Sequence, residues 1–325
     1  MRNDLIILMG MPRSGTSWLG KIFDSHPDTL YRHEPDSAQR IRGIPIFADV
    51  AHAPQYLDVI TDVVNKLPGA WLSNVAATLP VFRKSYYAHP QFLLRKCGIL
   101  ATKLGARILG ELPVPEVIDL RQVPQLLPVW KSIESLGRLG VLCRSLPACR
   151  AVLILRHPCG YVASVLRGEA KGKFNSSSPA HEDLGLFEML MELPQAATYG
   201  LCIERIKGMH PVERLAWSWV LHNEKAMNDV IGMRNCSPIR YEDLCSDPMA
   251  YAATLFEFSG LDWNEQTEAF IRQSTASDKS SYYSIFKDPL KSANKWKAEL
   301  APADIERVIA VIRDTGPGRL YAGHA

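Results

Sequence analysis

The chain lacks several features, and each absence removes a class of function. No stretch of its 325 residues approaches the 18 or more apolar residues that a membrane span requires. Its seven cysteines stand singly (Cys97, Cys143, Cys149, Cys159, Cys202, Cys236, Cys245). An odd number with no Cys-x-x-Cys pair argues against a zinc site and for reduced, mostly buried thiols. Charge of one sign is missing too. The net charge of +3 is too small to point to nucleic acid, though it is compatible with a local basic pocket for an anion. There is no internal repeat and no low-complexity tail. Met1-Arg2-Asn3-Asp4 runs at once into a core strand, leaving no room for a signal peptide, so the expected location is the cytoplasm. What remains has ordinary globular composition and the length for one α/β domain over 1–325, with helical insertions at about 37–110 and 168–210.

The most informative segment is Leu5 to Trp18, LIILMGMPRSGTSW. The branched apolar run Leu5–Met9 predicts a buried strand. Gly10-Met11-Pro12-Arg13-Ser14-Gly15-Thr16-Ser17 then predicts a tight loop, and Trp18 to Ser25 a helix that ends at Pro27. Strand, loop and helix N-terminus together make an anion cradle, because loop N–H groups and the helix dipole point at one place. The spacing is that of the Walker A motif, except that Thr16 stands where the lysine belongs. Without a lysine to reach β- and γ-phosphates, an ordinary ATPase or GTPase is disfavoured. The cradle still suits one phosphate or phosphosulfate group, with Arg13 as a nearby cation. A strand-turn-helix that binds nothing is the competing reading, but Pro12–Thr16 is poor core material.

A second stretch has similar logic. Ala151–Leu155 is another buried-strand run, followed by Arg156-His157-Pro158 and Tyr161-Val162-Ala163-Ser164. Arg156 at the carboxyl end of a parallel strand lies at the edge where open α/β sheets bind ligands, and its guanidinium can grip a phosphate with two N–H groups. Ser164 lies about two turns into the helix predicted over Gly160–Arg167. Singly, these residues read equally well as a surface ion pair and an ordinary helix residue.

PRSGTSWL after a strand resembles the 5′-phosphosulfate loop of the sulfotransferases, and Arg156 with Ser164 resembles the 3′-phosphate motif of the same family. The similarity spans roughly residues 5 to 300, with long unmatched stretches. It implies an α/β, P-loop-like three-layer fold with a central parallel sheet flanked by helices. It implies 3′-phosphoadenosine 5′-phosphosulfate (PAPS) as donor, 3′-phosphoadenosine 5′-phosphate (PAP) as product, a hydroxyl-bearing acceptor and no metal. Arg13, Ser14, Gly15, Thr16, Ser17 and Trp18 would then surround the phosphosulfate, and Arg156 and Ser164 the 3′-phosphate.

Sulfuryl transfer needs a base for the acceptor hydroxyl, donors for the sulfuryl oxygens, and a cation for the departing bridging oxygen. Glu34, in Leu30-Tyr31-Arg32-His33-Glu34-Pro35, is the first candidate base. The branch with protein-tyrosine and Golgi carbohydrate sulfotransferases has a Glu in a similar context, and His26-Pro27 strengthens that match over the cytosolic branch. A surface Glu34 paired with Arg32 is the plain alternative, and His33 is the rival base. By the same resemblance Lys131 would serve the bridging oxygen, with Arg13 as a second cation. Arg240-Tyr241-Glu242-Asp243-Leu244 is similar to a late family motif, which would bring Tyr241 beside the adenine or 3′-phosphate. Lys291 and Lys295, before Trp296, resemble the late basic loop that closes over the cofactor. Trp217 and Trp219 read as core residues rather than a substrate stack.

Elsewhere, helices are expected over Gln55–Leu67, Ile133–Leu146, Pro211–Ile231, Met249–Ser259 and from Pro302 to Arg313, with strands at Leu127–Ser132 and Pro238–Tyr241. Gln91–Leu109 reads as a mixture of strand and helix, and Gly168–Pro179 as a mobile loop. The sequence therefore points to a sulfotransferase. A P-loop kinase using ATP and Mg²⁺, or a non-catalytic nucleotide-binding protein, are the alternatives.

Overall fold

The computed structural model describes residues 5–124, 126–172, 178–276 and 285–322. Five strands form one sheet: β1 (Ile6–Met9), β2 (Thr29–His33), β3 (Leu127–Ser132), β4 (Arg150–Leu155) and β5 (Cys236–Arg240). Their order is β2-β3-β1-β4-β5 and every pairing is parallel. Parallel strands require crossovers, and helices supply them here.

Strand alternation divides the core in two. Ile7, Met9, Trp130, Ala151, Leu153 and Leu155 point to one face. Ile6, Leu8, Val129, Val152 and Ile154 point to the other. The second face is covered by α1 (Thr16–Asp24), which contributes Leu19, Ile22 and Phe23. The helix α2 (His89–Leu109) lies in the β2–β3 crossover. The first face is covered by α3 (Pro158–Ala170) and α4 (Pro211–Asp229). Three short helices return to the second face: α5 (Tyr241–Ser246), α6 (Pro248–Ser259) and α7 (Glu265–Ala276). Finally α8 (Pro302–Ile312) packs on α3 and α4. The fold is therefore an α/β three-layer sandwich of the P-loop type. No helix among the described residues is long and apolar enough to cross a membrane.

Two expectations need correction. Gln91–Leu109 holds no strand: it belongs to a single helix, opened by Pro90 and by Gln91 Oε1 accepting the Ala88 N–H at 2.8 Å. Arg95, Ile99 and Thr102 recur at helical spacing and are buried, which fixes its inward face. Gly168 and the two residues after it belong to α3 rather than to a loop, while residues 173–177 lie outside the described residues. One strand was unforeseen. β2 runs to His33 and carries Glu34 to the sheet's carboxyl edge.

Candidate active site

The cradle forms where β1 meets α1. A Cβ on Gly10 would run into the main-chain oxygen of Ile154 in β4, so only glycine lets the loop leave the strand there. The Ser14 N–H bonds the Met11 carbonyl at 3.2 Å, closing a tight turn. Gly15, at φ +90°, caps α1 without a side-chain bond, and a Cβ there would strike the Tyr241 ring. The Trp18 and Leu19 N–H groups both turn back to the Gly15 carbonyl at 3.1 Å. The first N–H groups of the helix, on Thr16 and Ser17, have no partner one turn back in the helix and face an anion site. Ser14 Oγ is buried and has no hydrogen-bond partner among the described residues. An orphaned hydroxyl in such a loop fits an absent oxyanion.

Arg13 joins this cradle to the second motif. Its Nε donates to Ser164 Oγ at 3.0 Å, and its carbonyl accepts from an Arg156 terminal nitrogen at 2.8 Å. The other terminal nitrogen of Arg156 donates to the Ser292 carbonyl at 2.8 Å. The Arg156 guanidinium lies 5.0 Å from the Tyr241 ring centroid, and its buried Nε has no partner among the described residues, a second orphaned donor. Arg167 donates to Ser164 Oγ at 3.3 Å. Behind them, Trp219 Nε1 donates to the Arg156 carbonyl at 3.0 Å, and Glu242 accepts the His157 N–H at 2.9 Å. The His157 ring stacks on Trp296 at 4.5 Å and meets Tyr321 edge-on at 5.1 Å.

Other predicted residues have different surroundings. Tyr241 is buried under Gly15, edge-on to Trp18, so it forms the floor of the cradle. The Trp18 indole donates to Ser274 Oγ at 3.1 Å inside the core. Trp217 and Trp219 are buried. Lys291 extends into solvent beside Asp288 at 3.6 Å, and Lys295 lies 3.3 Å from Glu299.

A residue that the sequence reading missed is Lys287. Burial and the positive charges of Arg13, Arg167, Lys295 and Arg156 push its ammonium down to about 8. A lysine held among so many cations is stabilised by a bound polyanion. The only local signal is its position before Asp288-Pro289, where Asp288 caps the next helix through the Lys291 N–H.

Glu34 and Lys131 meet at the ends of β2 and β3. His33 is in register with Lys131, and the Glu34 N–H donates to the Lys131 carbonyl at 2.8 Å. Glu34 then turns at φ +49°, ending the ladder and directing its carboxylate back over β3. There Lys131 Nζ donates to Glu34 Oε1. Lys131 is almost fully buried, which lowers its pKa, while the Glu34 charge partly restores it. Arg32 is not the partner of Glu34. It is buried and donates to the Leu67 and Pro68 carbonyls at 2.9 and 2.8 Å.

His33 lies alongside, with Nε2 3.8 Å from Glu34 Oε1 and Nδ1 2.7 Å from the Tyr31 hydroxyl. Burial, then the charges of Lys131, Lys21 and Lys103, hold its imidazole down to about 2, so it is neutral near pH 7. A frame unforeseen in the sequence holds the pair in place. The buried Asp36 accepts from Ser132 and Ser135 hydroxyls at 2.5 Å and from Trp130 Nε1 at 3.3 Å.

Among the described residues, Arg13 and Glu34 are the two non-glycine residues at positive φ. Such conformations cost about 1–3 kcal/mol each and concentrate where geometry serves a site. Both lie at the carboxyl edge of the sheet, where open α/β folds bind ligands.

No curated protein matches the chain in sequence. Among solved structures it is similar to the sulfotransferase domain of the curacin biosynthetic pathway, at 14% identity over 95% of this chain and 97% of that one, with TM-score 0.43. It is similar to the sulfotransferase domain of the Synechococcus PCC 7002 olefin synthase, at 14% identity, 94% of each chain and TM-score 0.45. It is also similar to a mouse sulfotransferase, SULT7A1, complexed with PAP, at 14% identity, 100% of this chain, 90% of that one and TM-score 0.44. The model of the Sulfotransferase family matches residues 5–265, and the chain belongs to that family.

Proposed function

We propose that the protein transfers a sulfuryl group from PAPS to a hydroxyl acceptor and releases PAP. The observation that carries this reading is the contact of two anion motifs far apart in sequence, Arg13 bonding both Ser164 and Arg156. One cradle suits a 5′-phosphosulfate and the adjoining pair suits a 3′-phosphate. The orphaned Ser14 Oγ and Arg156 Nε support the fit of both. In this assignment Ser14, Gly15, Thr16 and Ser17 surround the phosphosulfate, and Arg156, Ser164 and Lys287 the 3′-phosphate. Tyr241 and Trp18 support the loop from below.

Glu34 takes the proton of the acceptor hydroxyl as that oxygen forms its bond to sulfur. The bond between sulfur and the 5′-phosphate oxygen breaks. Lys131 donates a hydrogen bond to the departing oxygen, and Arg13 with the N–H groups at the start of α1 offsets the charge on the sulfuryl oxygens. The lowered pKa of Lys131 strengthens it as a donor, and His33, held down to about 2 by burial, is too weak a proton acceptor to displace Glu34 as the base. The carboxylate and strand-end lysine favour the branch of the protein-tyrosine and Golgi carbohydrate enzymes. Free cysteines favour the cytoplasm.

Calorimetric titration tests the donor assignment: PAP should bind much more tightly than 5′-AMP or ATP with Mg²⁺. Equal affinity for PAP and 5′-AMP would remove the 3′-phosphate site. Mass spectrometry of metabolite extracts incubated with enzyme and PAPS should then find acceptors heavier by one SO₃ group.

A further inference from the structure

The helix α2 turns an apolar face to solvent. Leu93, Leu100, Leu104 and Ile108 recur at spacings of seven, four and four, so they share one side, opposite the buried Arg95, Ile99 and Thr102. Leu104 is 63% exposed and Ile108 86%. Scattered exposed leucines need no explanation, but a stripe along a 21-residue helix does.

Charge selects what covers it. From His89 to Leu109 there is no Asp or Glu, while Arg95, Lys96, Lys103 and Arg107 are all basic. Arg95 is satisfied by Glu116 at 3.2 Å. Lys96 is exposed and Lys103 half-buried, both on one flank of the stripe. A two-fold pairing of this helix with a second copy would set these lysines against their own kind. An anionic lipid surface complements both features at once: apolar side chains enter the acyl boundary and lysines meet the headgroups.

The placement is also suited to substrate entry. A depression of about 460 Å³ beside the helix is lined by Lys96, Leu100, Leu79, Val81 and Phe286. Phe286 adjoins Lys287 of the donor cluster, and the Lys103 charge is felt at His33, next to Glu34.

We propose that α2 docks the protein on an anionic bilayer surface, so that the acceptor is a hydroxyl-bearing amphiphile taken from that surface. The docking stands alone, and the acceptor class rests on the sulfotransferase reading.

Co-sedimentation of the full chain with vesicles tests it, using phosphatidylcholine alone and phosphatidylcholine with roughly a third phosphatidylglycerol. Binding to the anionic vesicles is expected, and weak binding to the neutral ones. Leu100→Glu with Leu104→Glu should lower it by about tenfold or more. Lys96→Gln with Lys103→Gln, a gentler pair, should lower it by about fivefold per lysine. PAP affinity, measured separately on the same variants, should stay unchanged and reports intact folding. Absence of binding to anionic vesicles, or binding insensitive to both pairs, would overturn the docking. So would a solution dimer or a protein complex that Leu100→Glu with Leu104→Glu dissolves. Vesicle binding by a chain with no affinity for PAP would uphold the docking and remove the donor assignment instead.

Discussion

Glu34 and Lys131 are tied to each other twice. The Glu34 N–H donates to the Lys131 carbonyl as the last rung between β2 and β3, and the Lys131 ammonium donates to the Glu34 carboxylate above it. Backbone and side chain thus fix the proposed base and the proposed leaving-group donor relative to one another, within reach of the cradle.

Replacing Glu34 by Gln keeps its shape and removes its basicity. Turnover should fall by roughly 10²–10⁴-fold, with PAP affinity nearly unchanged. His33→Ala should do less, because an imidazole held down to about 2 is a poor proton acceptor and Glu34 remains. Steady-state kinetics on both variants decide it. An active Glu34→Gln beside a dead His33→Ala would reverse the assignment.

Lys131 and Arg156 should separate chemistry from binding. Lys131→Met should retain most PAP affinity yet lose about 10²–10³-fold in turnover, the scale for one positioned donor at a developing charge. Arg156→Ala should weaken PAP strongly, by the loss of charge-assisted bonds worth about 1.5–3 kcal/mol each. Calorimetry and turnover measured on both variants give the two columns of this comparison.

In the proposed assignment, Lys287 should make donor binding depend on pH. Its ammonium titrates near 8 in the free protein, and a bound polyanion favours the charged form. PAP should therefore bind with proton uptake around pH 8, and its affinity should fall above that pH, approaching ~10-fold per unit. Calorimetry in buffers of different ionisation enthalpy counts the proton, and Lys287→Met should abolish the uptake.

His33 should weaken the fold in mild acid. Its folded value, about 2, lies below the ordinary value of about 6.5. Between these values the unfolded chain binds more protons, so stability rises with pH across that window and is lost as pH falls below about 6.5. Denaturant titrations from pH 4 to 7 should show a shallower slope for His33→Gln.

Gly15→Ala tests the cradle's architecture. A methyl group would strike Tyr241 and impose a positive φ on a residue that resists it. A loss of about 1–3 kcal/mol is expected, together with reduced PAP affinity, both read from melting with and without ligand.

The parts legible in the sequence are those with local signals. β1 and β4 are short apolar runs between turn residues, β3 and β5 are short mixed segments beside them, and the loop from Gly10 to Ser17 is contiguous. β2 was not legible because Arg32 and His33 make up its last two residues. Arg32 looks polar and exposed, yet it is buried, answered by carbonyls of Leu67 and Pro68 some 35 positions later. α2 was misread because apolar residues line both its inner and outer sides, with Ile99 inward and Leu100 outward, which blurs the helical period. Lys287 escaped notice because only tertiary folding brings its charge within range of Arg13. Lys291, which has the better local motif, faces solvent beside Asp288.

The wall behind Arg156 has a consequence for how the protein is made. His157 rests on Trp296 and Tyr321, while the cradle it serves begins at Gly10. A ribosome adding ~5–20 residues per second releases the cradle tens of seconds before this wall exists. A nascent or prematurely ended chain therefore carries the loop without its support. In the proposed assignment, donor affinity therefore waits for the segment that carries Trp296 and Tyr321.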